Sequence, residues 1–340
     1  MPKAKPNSDT MNNSLVTVDD YVHGVLSGNR AKLARAITLI ESSKTEHQTL
    51  AQDMLVKLMP HTGRARRVGI SGVPGAGKST FIDAIGVKLT AAGQKVAVLA
   101  VDPSSSRSGG SILGDKTRMS HLAVDDNAFI RPSPTAGTLG GVARTTRETI
   151  LVCEAAGYNV ILVETVGVGQ SEIAVSEMVD FFMVLLIAGG GDDLQGIKKG
   201  VLELADLIAI NKADGNNDLA ARKAAANCQN ALRIITPASP TWTPPVLTIS
   251  ALRDTGLDLL WEKIEQHHSR LSETGELLIK RQHQMVGWMW AMVNDRLIGR
   301  FKTDQKVGNL LPDLECAISN GELTPVLALE RLLTAFDSSR

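Results

Sequence analysis

The chain has 340 residues, and its 36 Lys and Arg balance 36 Asp and Glu, so charge points to neither nucleic acid nor an anionic membrane as partner. A hydrophobic content of 43% is ample for a sizeable core, while the longest strongly apolar run, residues 181–188, falls well short of the roughly 20 residues that span a bilayer. Cys153, Cys228 and Cys316 lie far apart without metal-ligand spacing, and the first fifteen residues lack the apolar stretch of a secretory signal, so a cytoplasmic protein with reduced thiols is expected.

In chain order, residues 1–15 read as a disordered tail and 16–62 as a helical N-terminal extension. In that extension Leu33, Ala36, Ile37 and Ile40 recur at helical spacing, and so do Leu50, Met54, Leu55 and Leu58. Residues 63–265 alternate strands with helices, the strands being predicted at 67–71, 95–101, 128–131, 159–163, 181–187, 206–210 and 246–249. Several are apolar at consecutive positions, as strands covered on both faces are, so the fold class is α/β with a mostly parallel central sheet flanked by helices. The Pro-rich piece 236–245 reads as a surface loop. Residues 266–340 are predicted helical, with Trp288, Trp290, Met285, Met289 and Met292 on one long helix. Those side chains suit either packing onto the sheet domain or contact between two copies of the chain.

The decisive stretch is Gly72-Val73-Pro74-Gly75-Ala76-Gly77-Lys78-Ser79, a complete G-x-x-x-x-G-K-[ST] motif between a predicted strand and a helix that continues from Thr80. Its glycines let backbone N–H groups turn toward phosphate oxygens, and the helix adds its positive end. Lys78 supplies a charge for the β- and γ-phosphates, and the Ser79 hydroxyl is placed to ligate Mg²⁺. Asn211-Lys212-Ala213-Asp214 ends a later strand as N-K-x-D. A carboxylate there accepts from the ring N–H and amino group of guanine, donors that adenine does not offer in that arrangement, which selects GTP as substrate. Ser250-Ala251-Leu252 follows the last strand as a companion loop to the base.

Glu164 closes an apolar strand and leads to Gly167, where an acid can approach Mg²⁺ and the γ-phosphate and a glycine N–H can meet that phosphate. The residue after the glycine is Val168, where Ras-like GTPases hold a glutamine; Gln170 lies two positions further on. Slow unassisted hydrolysis follows. Two long polar loops, one running from Asp102 through Asp115 and one through Asp192, Asp193, Lys198 and Lys199, read as mobile switches.

Together Val101-Asp102-Pro103-Ser104-Ser105, Gly109 to Met119, Val163 to Glu172 and Ala188 to Gly200 resemble the MeaB/ArgK family of SIMIBI-class P-loop GTPases, which includes the methylmalonic aciduria type A protein. The resemblance covers roughly residues 20–300 and implies a chaperone of an adenosylcobalamin-dependent acyl-CoA mutase, most often methylmalonyl-CoA mutase, that gates cofactor loading without binding cobalamin itself. It implies Mg²⁺ held by Ser79, Asp102, Asp115 and Glu164, with Glu164 and Lys78 catalytic and three switches near 102–118, 164–176 and 188–200. It also implies a homodimer formed through the C-terminal region, and a mutase signal carried by Lys198 or Lys199. A metallochaperone GTPase and an ATP-dependent kinase are the alternative readings, separable by metal content and by GTP against ATP affinity.

Overall fold

Seven strands, β1 (Arg66–Gly72), β2 (Val96–Val101), β3 (Ala128–Arg131), β4 (Val160–Thr165), β5 (Phe181–Ile187), β6 (Leu207–Asn211) and β7 (Val246–Thr248), form one parallel sheet in the order β3-β2-β4-β1-β5-β6-β7. The coordinates are a computed structural model that describes residues 16–101, 119–132, 139–165, 171–188, 199–234 and 239–338, the side chains of Leu139 and Lys199 excepted. All seven predicted strands are present, with ends shifted by a residue or two. The two shortest, β3 and β7, are the edges.

Alternate side chains on each strand enter two cores. Val68 and Ile70, Val96 and Val98, Val160 and Leu162, and Phe181, Met183 and Leu185 face α4 (Lys78–Ala91) and α9 (Leu257–Glu273). Ala97, Leu99, Ile161, Val163, Phe182, Val184 and Ile208 face the other way. That second core includes α1 (Val18–Leu26), α2 (Arg30–Glu41), α3 (Thr45–Leu58), α5 (Leu139–Ala155), α6 (Ser171–Ser176) and α8 (Asp218–Leu232). Burial on both faces explains why these strands read as continuous apolar runs. Truncating a fully enclosed residue such as Phe182, 1% exposed, would cost about 3–5 kcal/mol.

The N-terminal helices join this core through Leu33, Ile37, Ile40, Met54 and Leu58. Thr17 and Asp20 form a capping box at α1, and Asn29 caps α2. From α2, Glu41 and Thr38 hold Arg131 at the end of β3, and Arg30 reaches the Asp125 carbonyl and the Asp126 carboxylate. Residues 119–124 dock on α4: Met119 and Leu122 are buried, and Asp83 accepts from Leu122 N at 2.8 Å while its other oxygen meets His121 Nδ1 at 2.8 Å. A Cβ at Gly86 would lie 2.5 Å from a Leu122 methyl, so this close docking requires glycine on the helix.

At the amino ends of the strands, carboxylates satisfy backbone amides that the sheet leaves open. Asp180 accepts from Arg67 N, and Asp206 from Phe182 N. The Arg67 side chain makes a buried two-point ion pair with Glu154.

The chain divides into two compact units, residues 1–277 and 278–340. In the second, α11 (Gln305–Ser319, capped by Asp304) pairs with α12 (Pro325–Asp337, capped by Thr324), and the Phe301 and Phe336 rings lie 5.2 Å apart. Many apolar side chains of α10 (Glu276–Thr303) stay exposed, Met285, Met289, Trp290, Val293 and Leu297 among them. No described helix is long and apolar enough to cross a membrane.

Candidate functional site

Register alone assembles the site. Ile70 lies beside Glu164, Gly72 beside Leu185 and Ile187 beside Asn211, so the carboxyl ends of β4, β1, β5 and β6 sit side by side. Ligands of open α/β sheets bind at this end. The loop Gly72–Gly77 leaves β1 there and α4 begins at Lys78. A Cβ at Gly72 would fall 2.2 Å from the Leu185 carbonyl oxygen, which excludes any other residue where the loop leaves β1 beside β5. Gly77 is the N-cap of α4, with φ +87°, and leaves the first amides of the helix unoccupied by any capping side chain.

Lys78 folds back on its own loop, donating to the Gly72 carbonyl at 2.7 Å and reaching the Val73 carbonyl at 3.5 Å. Burial lowers its pKa from the ordinary lysine value, and the carboxylates of Glu164 and Glu172 partly offset that. A triphosphate would replace two carbonyl dipoles with full negative charge, so the ammonium is poised to swing onto it. Ser79 Oγ donates to Glu164 Oε1 at 3.3 Å, bringing two of the expected metal ligands together, with Glu164 only 4% exposed. A hydroxyl and a carboxylate are the hard oxygen donors that suit Mg²⁺. Behind them Thr165 donates to Ser71 Oγ at 3.2 Å, a buried hydroxyl pair that joins β4 to the root of the Gly72–Gly77 loop.

The side of the site next to β6 is braced by Asn211, which is 2% exposed. Its Nδ2 donates to the Ala76 carbonyl at 2.8 Å and its Oδ1 accepts from Ala251 N at 3.1 Å, so one side chain ties the phosphate loop to the loop after β7. Lys212 adopts φ +60°, unusual for a side-chain-bearing residue and common where function fixes the backbone. Asp214 receives a hydrogen bond from the Ser250 hydroxyl, which in turn accepts from Arg253 N at 3.1 Å. Leu252 is exposed. The roles of Asn211 as a brace and of Ser250 as an orienter of Asp214 are invisible in the motif strings, because both act across separate loops.

Thr80 lies exposed in the first turn of α4. Asp102, Asp115, Gly167, Gln170, Asp192, Asp193 and Lys198 lie outside the described residues. Lys199 opens α7 (Lys199–Glu203) with its side chain undescribed. Glu172, whose charge is felt at Lys78, was not singled out as a site residue by the sequence; its place in the first turn of α6, beyond the E-x-x-G segment, is the signal that could have found it.

The loop Gly72–Gly77, Glu164 on the adjacent strand and Asp214 after β6 thus share the carboxyl end of the sheet. The family model described as "Methylmalonyl Co-A mutase-associated GTPase MeaB" matches residues 33–306. The chain belongs to the MeaB family. It is a GTP hydrolase, as its relatives are named. It is 58% identical over 319 residues to a protein of Caulobacter vibrioides named putative GTPase, covering 94% of this chain and 98% of that one. To the mitochondrial methylmalonic aciduria type A homolog of Mus musculus it is 47% identical over 331 residues, 94% of this chain and 80% of the mouse protein. A crystal structure described as LAO/AO transport system kinase superposes with a TM-score of 0.78 at 39% identity, covering 94% of this chain and 97% of that one. The MeaB-family assignment and the parallel sheet with its helical termini therefore agree with the sequence resemblance.

Proposed function

We propose that this MeaB-family GTPase is a chaperone of an adenosylcobalamin-dependent acyl-CoA mutase, methylmalonyl-CoA mutase in the first place, whose nucleotide state gates cofactor loading and protects the mutase. The observation that carries the reading is the match over residues 33–306 to a family described as mutase-associated. Cobalamin is the mutase's cofactor in this scheme and is not held by this chain.

In the proposed cycle Lys78 leaves the Gly72 and Val73 carbonyls for the β- and γ-phosphates, and Asp214, oriented by Ser250, selects guanine. Ser79 and Glu164, with Asp102 and Asp115, would hold Mg²⁺, which would supply positive charge against that building on the phosphates. Glu164 orients the attacking water. With Val168 in place of a glutamine, turnover is slow until the partner acts. Switch residues Gln170, Asp192, Asp193, Lys198 and Lys199 carry that signal. Residues 266–340 form a homodimer contact, supported by the exposed apolar side chains of α10. The kinase description of the similar crystal structure is a second reading, and it requires ATP where N-K-A-D favours GTP.

Single-turnover GTP hydrolysis, with and without saturating mutase, tests the proposal. Acceleration by the mutase is expected for the wild type and should vanish when Lys198 and Lys199 are both replaced by Ala. A mutase that leaves the wild-type rate unchanged, or equal stimulation of the variant, would refute the coupling.

A further inference from the structure

The turn that carries Ser250 is held from an unexpected direction. Ser250 and Thr255 pair reciprocally through their backbones at 3.0 Å, closing a six-residue loop. Within it Asp254 adopts φ +53°, a left-handed conformation that Asp tolerates better than most side-chain-bearing residues. Nothing in that loop's own hydrogen bonds fixes the Asp254 carboxylate. Lys88 does: Nζ lies 2.9 and 3.0 Å from the two Asp254 oxygens and 2.9 Å from the Asp258 carboxylate at the start of α9. These hydrogen bonds, to Asp258 first and Asp254 second, raise the Lys88 pKa above the ordinary lysine value.

Lys88 belongs to the last turn of α4, the helix whose first residue is Lys78. One rigid helix therefore meets the phosphate at one end and the base loop at the other, about 15 Å apart at 1.5 Å per residue. Beneath the ion cluster, Leu89 and Ile85 of α4 share a core with Ala251, Leu257 and Leu260, so the contact is backed by buried packing. A shift of the 250–255 turn would move Ser250 Oγ away from Asp214 and Ala251 N away from Asn211.

We infer that Lys88 is a positioning residue for guanine selectivity: through Asp254 it fixes the 250–255 turn to the phosphate-loop helix, and so keeps Ser250 aimed at Asp214. The inference rests on Asp214 being the guanine acceptor. Because Lys88 acts on the base and not on the phosphates, its loss weakens guanine nucleotides selectively. The cluster is partly solvated, the Lys88 side chain being 29% exposed, so the effect is modest.

The test is equilibrium competition of GDP and ADP against a fluorescent GDP on the full chain, for the wild type and for Lys88→Ala, Lys88→Arg, Asp254→Gly and Asp214→Ala. Lys88→Ala should weaken GDP about fivefold with ADP unchanged, and Lys88→Arg should restore most of that. Asp254→Gly keeps the left-handed backbone accessible but removes the anchor, so it should match Lys88→Ala. The double variant Lys88→Ala/Asp254→Gly should be no worse than either single one, since both cut the same link. Equal loss of GDP and ADP, an unchanged GDP affinity, or effects that multiply in the double variant would overturn the inference. If Asp214→Ala kept its preference for GDP, the reading of the base site would fall and this inference with it. Loss of that preference in Asp214→Ala but not in Lys88→Ala or Asp254→Gly would overturn the role of Lys88 alone.

Discussion

Replacing Asn211 by Ala probes the brace between the phosphate and base loops. The change strands two buried partners, the Ala76 carbonyl and the Ala251 amide, which Asn211 meets at 2.8 and 3.1 Å; Ala76 is 0% and Ala251 6% exposed, so water reaches them poorly. Each unsatisfied group costs about 1–3 kcal/mol, which sets the expected loss of stability at about 2–6 kcal/mol. That corresponds to a fall in the melting temperature of roughly 5–15 °C. Because the same side chain sets the distance between the two loops proposed to grip the nucleotide, GDP affinity should also fall, by about tenfold or more. Thermal denaturation with and without GDP, together with calorimetric titration, measures both. Asn211→Asp separates geometry from charge: it keeps the acceptor for Ala251 N but turns a carboxylate oxygen toward the Ala76 carbonyl. It should be at least as damaging near neutral pH and recover on acidification. An Asn211→Ala protein with wild-type melting temperature and GDP affinity would show that the brace carries no weight.

At Lys78, burial lowers the pKa in the free protein and bound phosphates raise it, so the free form gives up its proton at lower pH. Between the two values binding takes up a proton, and affinity falls as pH rises through that window. Calorimetry in buffers of different ionisation enthalpy should detect this uptake in wild type and not in Lys78→Arg; identical buffer dependence in the two would contradict it. Gly86→Ala should destabilise the protein by about 1–3 kcal/mol in urea titrations, because the added methyl meets buried Leu122 at 2.5 Å, outweighing the gain in helix propensity. Shortening Leu122 to Ala in the same protein should relieve part of that cost, and simple additivity would refute the clash.

The parallel sheet was legible because its strands are buried on both faces and so run apolar without alternation; β5 is the clearest case. The phosphate loop was equally plain, since a tight anion-binding turn before a helix allows few other residues. N-K-A-D and the 250–252 loop pointed to Asp214, Asn211 and Ser250 as nucleotide-binding candidates, but the contacts these side chains make, and the part played by Lys88, were hidden. Ser250, Asn211 and Lys88 act between segments far apart in sequence, through single side-chain contacts that leave no periodic or spaced pattern. The docking of residues 119–124 was hidden for the same reason: Gly86 reads as an ordinary weak spot in a helix until Leu122 is seen against it. Glu172 escaped because its effect on Lys78 depends on where α6 starts, beyond the motif.

The short edge strands bear on how the sheet avoids pairing with the sheets of other copies. A sheet edge is a template for another chain's strand, and the hazard grows with its length and flatness. Here the edges offer only the four residues of β3 and the three of β7. At β3, Glu41 and Thr38 of α2 also occupy Arg131, while the apolar faces of α2 and α3 enter the core that contains α5. A chain trimmed to begin at residue 63 would therefore lose more than an appendage. It would bare the surface of α5, leave Arg131 without its carboxylate, and turn a guarded margin of the sheet into a place where nascent or trimmed molecules adhere to one another.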